Sequence, residues 1–145
     1  MSLFSTISVS ASGMSAQRQR AQVLVENIAN ADTTRTAEGG PYQRRDVVFE
    51  NAPVSTPFSS FLDSQMDGQA NGVVVRDVVA DGRGPDRRYM PGHPDADKDG
   101  YVSYPRVNPA EDMVDLLGAS RAYQANVSAI SAVKDMIQRS IDLFR

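Results

Sequence analysis

The sequence predicts an α+β fold, in which long N- and C-terminal helices form an antiparallel, coiled-coil-like pair and carry a small β-rich middle module. Three observations predict it. Both ends repeat apolar side chains at helical spacing, most glycines and prolines fall between the ends, and short runs of strand character lie among them. The predicted boundaries are 1–30 for the N-terminal helix, 31–108 for the middle module and 109–145 for the C-terminal helix.

The N-terminal segment predicts a helix that needs a partner. A series of mostly apolar or small residues advances in alternating steps of four and three, which is the spacing of a coiled-coil seam. Serine and glutamine residues lie between them and are poor at stabilising an isolated helix. The positions are Ile7, Ala11, Met14, Arg18, Ala21, Val25 and Ile28.

The middle segment contains three runs with strand character, at 42–49, 72–80 and 100–104. Turn-rich stretches separate the runs, and a small β-rich module is therefore predicted. Residues 51–71 combine prolines with many polar side chains, so that stretch is predicted to be a loop.

The C-terminal segment predicts the longer helix, and its start is chemically marked. Asn108, Pro109 and Glu111 match the N-cap, the first helical position and the third position of a capping box. The alternation of four and three then continues for more than five turns, with two polar exceptions. Its positions are Met113, Leu116, Ser120, Tyr123, Val127, Ile130, Lys134, Ile137, Ile141 and Phe144.

Composition argues against several classes of function. The chain has 15 basic and 18 acidic residues, a net charge of −3, so no broad electropositive surface for nucleic acid is expected. Cysteine is absent and His93 is the single histidine, which excludes thiolate chemistry and a multi-histidine metal site within one chain. No Gly-x-Ser-x-Gly elbow accompanies His93. We therefore expect no catalytic residue, no cofactor and no metal.

Transport signals are equally sparse. No stretch approaches the length of about 18 apolar residues that a membrane span needs. The first 30 residues lack the unbroken apolar region of a cleavable signal peptide. We expect no membrane span, and if the protein leaves the cytoplasm, we expect it to use another route.

One motif leaves an alternative open. Asp95, Asp97 and Asp99, followed by Gly100, match the opening of a calcium-binding EF-hand loop. The twelfth position is Arg106, where calcium requires a bidentate glutamate, so an aspartate-rich turn is favoured. A calcium-responsive binding module remains the alternative function. A small wall-cleaving hydrolase with paired carboxylates ranks below it.

Particular stretches of the sequence resemble a known family. Asn27-Ile28-Ala29-Asn30, followed by Thr33 and Thr34, resembles the N-terminal signature of bacterial flagellar axial proteins of the rod and hook. Three further stretches narrow the resemblance to basal-body rod proteins. They are Gly40-Pro41-Tyr42; residues 91–97 with Gly100-Tyr101-Val102 and Tyr104-Pro105; and Met113-Val114-Asp115-Leu116 with residues 119–126. Met90 and Arg106 depart from the residues that are usual in that family, aspartate and asparagine.

The resemblance implies a non-enzymatic structural subunit of the proximal rod, which assembles helically through its terminal helices and transmits torque. It implies a place in the flagellar basal body within the periplasmic space. It also implies export through the flagellar type III apparatus without a cleaved signal peptide. The implied partners are other rod proteins, copies of the same chain, and the MS-ring and export-gate end of the basal body.

Two sets of residues are the candidates for assembly. The packing stripe is the set predicted to bundle subunits: Ile7, Met14, Val25, Ile28, Leu116, Tyr123, Val127, Ile130 and Ile137. Polar contacts that set the register of the helices are predicted at Asn27, Asn30, Arg121 and Asn126. A pair of helices is expected to leave Leu24, Leu117, Val133 and Met136 partly uncovered.

Overall fold

The computed structural model describes residues 3–53 and 71–143, and it confirms the predicted α+β class. Two long terminal helices pack against each other, and antiparallel strands lie between them in the sequence. The elements are α1 (Leu3–Ala29), β1 (Arg45–Pro53), β2 (Asn71–Ala80), β3 (Asp86–Tyr89), β4 (Tyr101–Tyr104) and α2 (Pro109–Asp142).

The start of α2 follows the predicted chemistry. Asn108 has the extended backbone of an N-cap, and its side chain accepts a hydrogen bond of 3.2 Å from the Ala110 N–H. Pro109 occupies the first helical position, where its missing N–H removes no helical bond. Glu111 and Asp112 place negative charge at the positive end of the helix dipole.

The strands form two separate two-stranded antiparallel sheets. In the β1–β2 hairpin the register shifts between Val48 and Phe49, because Arg76 is an extra residue on β2 that forms a bulge. Strand β1 begins later than predicted and extends to Pro53, three residues into the predicted loop. The remainder of that loop up to residue 70 lies outside the described residues. Strand β3, which pairs with β4, was not predicted from the sequence.

Helix α1 connects the other parts of the molecule. It packs against α2 and against both strands of the β1–β2 hairpin, whereas α2 packs only against α1 among the described elements. The remaining surface of α1 is open to solvent at several positions, among them Phe4 and Val25.

The core is small and uses small side chains. Ala16 on α1 and Ala119 on α2 are both buried. Leu24 and Val133, which were expected to remain uncovered, are also buried, at 3% and 4% exposure, so that expectation was wrong. Small residues let two helices approach closely, and the contact face forms around them rather than along the larger apolar side chains. The buried apolar residues are Ala16, Val23, Leu24, Tyr42, Val102, Ala119 and Val133.

Candidate functional site

A buried polar cluster fixes the end of α1 to the start of β1. The Asn27 side chain is fully buried, and its Nδ2 donates a 2.8 Å hydrogen bond to the Arg45 carbonyl. Its Oδ1 accepts from the Arg45 N–H at 3.0 Å and from the Tyr42 hydroxyl at 2.9 Å. The amide thus pairs with Arg45 as a neighbouring strand would, on the edge of β1 that does not face β2.

A second part of the cluster joins this region to the first turn of α2. Arg44 Nη2 donates a 2.7 Å hydrogen bond to Asp112 Oδ1, and Arg44 also pairs with Asp46. Asp112 is 1% exposed, and hydrogen bonding to it raises the pKa of the Arg44 guanidinium. The second carboxylate oxygen of Asp112 is buried without a hydrogen-bond partner among the described residues. Burial makes this ion pair costly to break, because either partner alone would leave an uncompensated charge.

Tyr42 supplies a spectroscopic test of the cluster. Burial raises the pKa of its hydroxyl above the ordinary value of 10.0, since the charged phenolate loses solvation. Because the folded pKa exceeds the unfolded one, this contribution to stability is complete below pH 10 and is lost as the pH rises through the folded pKa. We expect one tyrosine to ionise later than the exposed ones in an ultraviolet absorbance titration, and Tyr42→Phe to remove that late phase. A single phase in both proteins would contradict it.

The helix pair has a defined antiparallel register. Gly13 lies against Asn126, and a Cβ at Gly13 would stand 3.1 Å from Asn126 Nδ2, a tight approach. Nearer the other end of the pair, Arg20 Nη2 lies 3.4 Å from Asp115 Oδ2. The Asn126 side chain is itself held by a 2.9 Å hydrogen bond from Nδ2 to the Ala122 carbonyl. A glycine facing an oriented amide favours this alignment of the two helices.

The packing stripe lies along the edge of the helix pair rather than inside it. On α2, Leu116, Ile130 and Ile137 are half-buried, whereas Tyr123 and Val127 are exposed, at 42% and 41%. On α1, Ile7, Met14 and Ile28 are half-buried, whereas Val25 is exposed. With about 100° of rotation per residue, the centre of the stripe on α2 lies roughly 50° from the centre of the buried face. The structure therefore does not gather the stripe into one intramolecular core, and its role in packing subunits stays a prediction.

The four predicted register residues occupy different environments. Asn27 and Asn126 make the contacts described above, within one chain. Asn30 caps the end of α1 locally, since its Nδ2 donates to the Glu26 carbonyl at 2.9 Å and its Oδ1 accepts from the Thr33 hydroxyl at 3.1 Å. Arg121 is exposed on α2. A role between subunits remains a prediction for all four.

Two of the three aspartates of the alternative calcium loop, Asp95 and Asp97, are engaged in other contacts. Asp97 Oδ1 accepts from the N–H groups of Tyr101 and Asp99 at 2.8 and 3.0 Å, and Arg87 pairs with Oδ2 at 2.8 Å. These backbone hydrogen bonds, with that of Tyr101 first, lower the pKa of Asp97. Asp95 accepts a 2.8 Å hydrogen bond from the Thr34 hydroxyl. The favoured aspartate-rich turn is confirmed, and nothing in these contacts supports calcium binding.

Within residues 3–53 and 71–143 no cluster of three His, Cys, Asp or Glu side chains is arranged to hold a metal ion. Neither described helix combines the length and apolar character of a membrane-crossing segment.

Sequence reasoning missed Arg44, Tyr42 and Asp112. An acidic residue in the first turn of a helix is ordinarily an exposed partner of the helix dipole, and no local feature of the sequence distinguishes Asp112 from that case. The hydrogen bonds of Arg44 and Asp112 span 68 positions of the chain, and no local pattern signals such a pair.

Comparisons with known proteins agree with this architecture. Residues 7–35 match the family model described as "Flagella basal body rod protein", and residues 98–143 match "Flagellar basal body rod FlgEFG protein C-terminal". The paired terminal helices, together with these two matches, identify the class of protein as a subunit of the bacterial flagellar axial assembly.

Relatives along the whole chain identify the family. The chain is 41% identical to the flagellar basal-body rod protein FlgC of Borreliella burgdorferi, over 100% of this chain and 99% of the relative. It is 41% identical to FlgC of Bacillus subtilis, over 99% of each, and 32% identical to FlgC of Aquifex aeolicus, over 100% of this chain and 99% of that protein. The chain belongs to the FlgC family of flagellar basal-body rod proteins. It is a structural subunit of the rod, located in the flagellar basal body, where it assembles with other rod proteins.

Proposed function

We propose that the subunit builds a helical shaft through its packing stripe and transmits torque along its terminal helices. The observation that carries the proposal is the exposed half of the stripe at Val25, Tyr123 and Val127, directly beside the half-buried members. A two-helix pair cannot cover these side chains, and contiguous exposed apolar surface is typical of protein interfaces. Because the two edges of the pair are unlike, repetition of one such contact generates an open helical tube.

The polar cluster supports this mechanical role. Asn27 ties α1 to β1, and the Arg44–Asp112 pair ties the segment before β1 to α2. Each connection is buried and joins two elements distant in the sequence, so a force on the middle module reaches both helices. On this basis segments 1–30 and 109–145 form one axial core domain, and residues 31–108 form an attached outer module.

The cellular setting belongs to the same proposal. The subunit lies within the periplasmic space, contacts copies of itself and other rod proteins, and adjoins the MS-ring and export-gate end of the basal body. It reaches this place through the flagellar type III apparatus without a cleaved signal peptide, and it performs no catalysis. The small core supports this route, because a marginal fold is easily threaded through a narrow channel.

Deletion of the gene tests the proposed function. We expect non-motile cells whose purified basal bodies retain the MS ring but lack a rod, and restoration of both by the intact gene. Electron microscopy of the basal bodies and immunoblotting of their protein provide the measurement. An unprocessed N terminus on the assembled subunit should be found by mass spectrometry. Normal rods in the deletion strain would overturn the proposal.

A further inference from the structure

The fold leaves two unlike faces open. Helix α1 packs against both α2 and the β1–β2 hairpin, whereas neither of these packs against another described element. Both α2 and the hairpin expose apolar side chains. These faces are separate from the packing stripe, which lies along the edge of the helix pair.

The outer hairpin face is defined by Val48, Glu50, Val74, Asp77 and Val79, all exposed. The register places Val48 opposite Asp77 and Glu50 opposite Val74, so valines and carboxylates alternate across one face. The other face of the hairpin turns toward α1.

Part of the inner hairpin face contacts α1. Val47 and Phe49 line a cavity of about 200 Å³ together with Val23 and Leu24 of α1. Since side chains alternate between the two faces of a strand, Val48 and Glu50 are directed away from α1. The outer hairpin face therefore has no partner within the described chain.

The outer face of α2 is defined by Val114, Leu117 and Arg121. At about 100° per residue, these positions lie on the side of the helix opposite to the buried Ala119 and its neighbours. Val114 is 68% exposed and Leu117 is 60% exposed. Their spacing of three and four residues makes one continuous patch that is apolar and carries a positive charge.

We propose that the outer hairpin face of one subunit packs on the outer face of α2 of a second copy. The charges are complementary, because Glu50 and Asp77 on the hairpin face Arg121 on the helix. Asp77 Oδ1 accepts a hydrogen bond from the Val78 N–H, and Glu50 Oε2 lies 3.8 Å from Arg76 Nε. Each carboxylate therefore retains oxygen lone pairs at the surface that can accept further hydrogen bonds. The valines of the hairpin then cover Val114 and Leu117.

The geometry of this contact suits a shaft. The patch on α2 spans about 10 Å along the helix, which is comparable with the width of two paired strands and their side chains. The two faces are different surfaces of one chain, so the contact is heterologous and its repetition continues from copy to copy. The inference rests on the proposed assembly of the subunit into the rod, and it adds a second surface to the packing stripe.

Cysteine cross-linking tests the contact, because the chain contains no cysteine. We expect basal bodies from cells that produce both Val79→Cys and Leu117→Cys to give a disulfide-linked dimer on mild oxidation. Val79→Cys with Met136→Cys is the matched control, since Met136 is half exposed and lies about 28 Å along α2 from Leu117. That pair should give no dimer, and neither should Val79→Cys or Leu117→Cys alone.

The outcomes separate the inference from the proposed function. If both cysteine variants enter the rod and the Val79–Leu117 dimer is absent, or if Val79→Cys links to another rod protein, the inference is overturned while the rod function stands. If the unmodified chain is absent from purified rods, the proposed function itself fails.

A charge exchange gives a second, independent measurement. Asp77→Arg and Arg121→Asp should each lower the amount of subunit in purified basal bodies by about tenfold, since each places like charges together across the interface. The double variant should recover to within about twofold of the unmodified chain. Equal incorporation of all four proteins would overturn the inference, as would a double variant no better than the single ones.

Discussion

Replacing Asn27 by alanine is expected to lower the free energy of unfolding of the isolated subunit by about 3 kcal/mol. The change removes three hydrogen bonds, to the N–H and carbonyl of Arg45 and to the Tyr42 hydroxyl. Asn27 is fully buried, so the groups left behind have little access to water. An unsatisfied buried polar group costs about 1–3 kcal/mol, which is more than the net value of the bond itself.

Urea denaturation followed by circular dichroism measures this loss, and Tyr42→Phe completes a double-mutant cycle. Tyr42→Phe alone should cost about 1 kcal/mol, and the double variant should cost less than the two single losses together, because both remove the same bond. Asn30→Ala is the matched control, since its side chain makes exposed, local contacts at the end of the same helix. It should cost less than about 1 kcal/mol. Equal losses for Asn27→Ala and Asn30→Ala would mean that the buried cluster does not hold α1 to β1.

The terminal helices were predictable because their signals are local. Asn108 and Pro109 are adjacent in the sequence. They act on the first turn of α2 alone, whatever that helix packs against. Apolar spacing likewise reports helical geometry from one segment at a time. Strand β3 carried no comparable signal, since Asp86–Tyr89 is polar, short and exposed, and it depends on pairing with β4.

The face of each helix that is buried could not be read from the same spacing. The packing stripe identifies where larger apolar side chains align, but the helix pair is closed around Gly13, Ala16 and Ala119, where the backbones can approach. Leu24 is consequently buried and its neighbour Val25 is exposed, the reverse of the expected order. Which face a helix buries depends on the partner, and the partner is distant in the sequence.

The contacts of the polar cluster could not be predicted from local sequence patterns either. Asn27 was selected as a register residue, but its partner Arg45 is 18 positions away, and Asp112 is 68 positions from Arg44. Such pairs satisfy each other only after the helices have fixed the position of the chain between them. Asn27 belongs to the stretch that resembles the family signature, and the structure supplies a physical reason for an amide there, since it is buried and bonds the free edge of β1.

The largest effect on assembly is expected from Val127→Asp, which should remove the subunit from the rod and abolish motility. Val127 is 41% exposed in the single chain, so a carboxylate there remains hydrated and leaves the fold intact. In the assembled rod the same carboxylate would be buried against apolar side chains of a neighbour without a partner, at a cost of several kcal/mol. Val127 is a better site for this test than Ile130. Because Ile130 is half-buried within the chain, its replacement would also destabilise the monomer.

Ala129→Asp is the matched control for this experiment. It introduces the same charge two residues further along α2, at an exposed position about 200° around the helix from Val127. We expect near-normal swarming in soft agar and normal recovery in purified basal bodies for Ala129→Asp, and neither for Val127→Asp. Both purified monomers should keep the circular dichroism spectrum and the melting temperature of the unmodified chain. A motile Val127→Asp strain with variant subunits in its rods would show that the stripe faces solvent in the assembly, and the helical packing proposed through it would then be wrong.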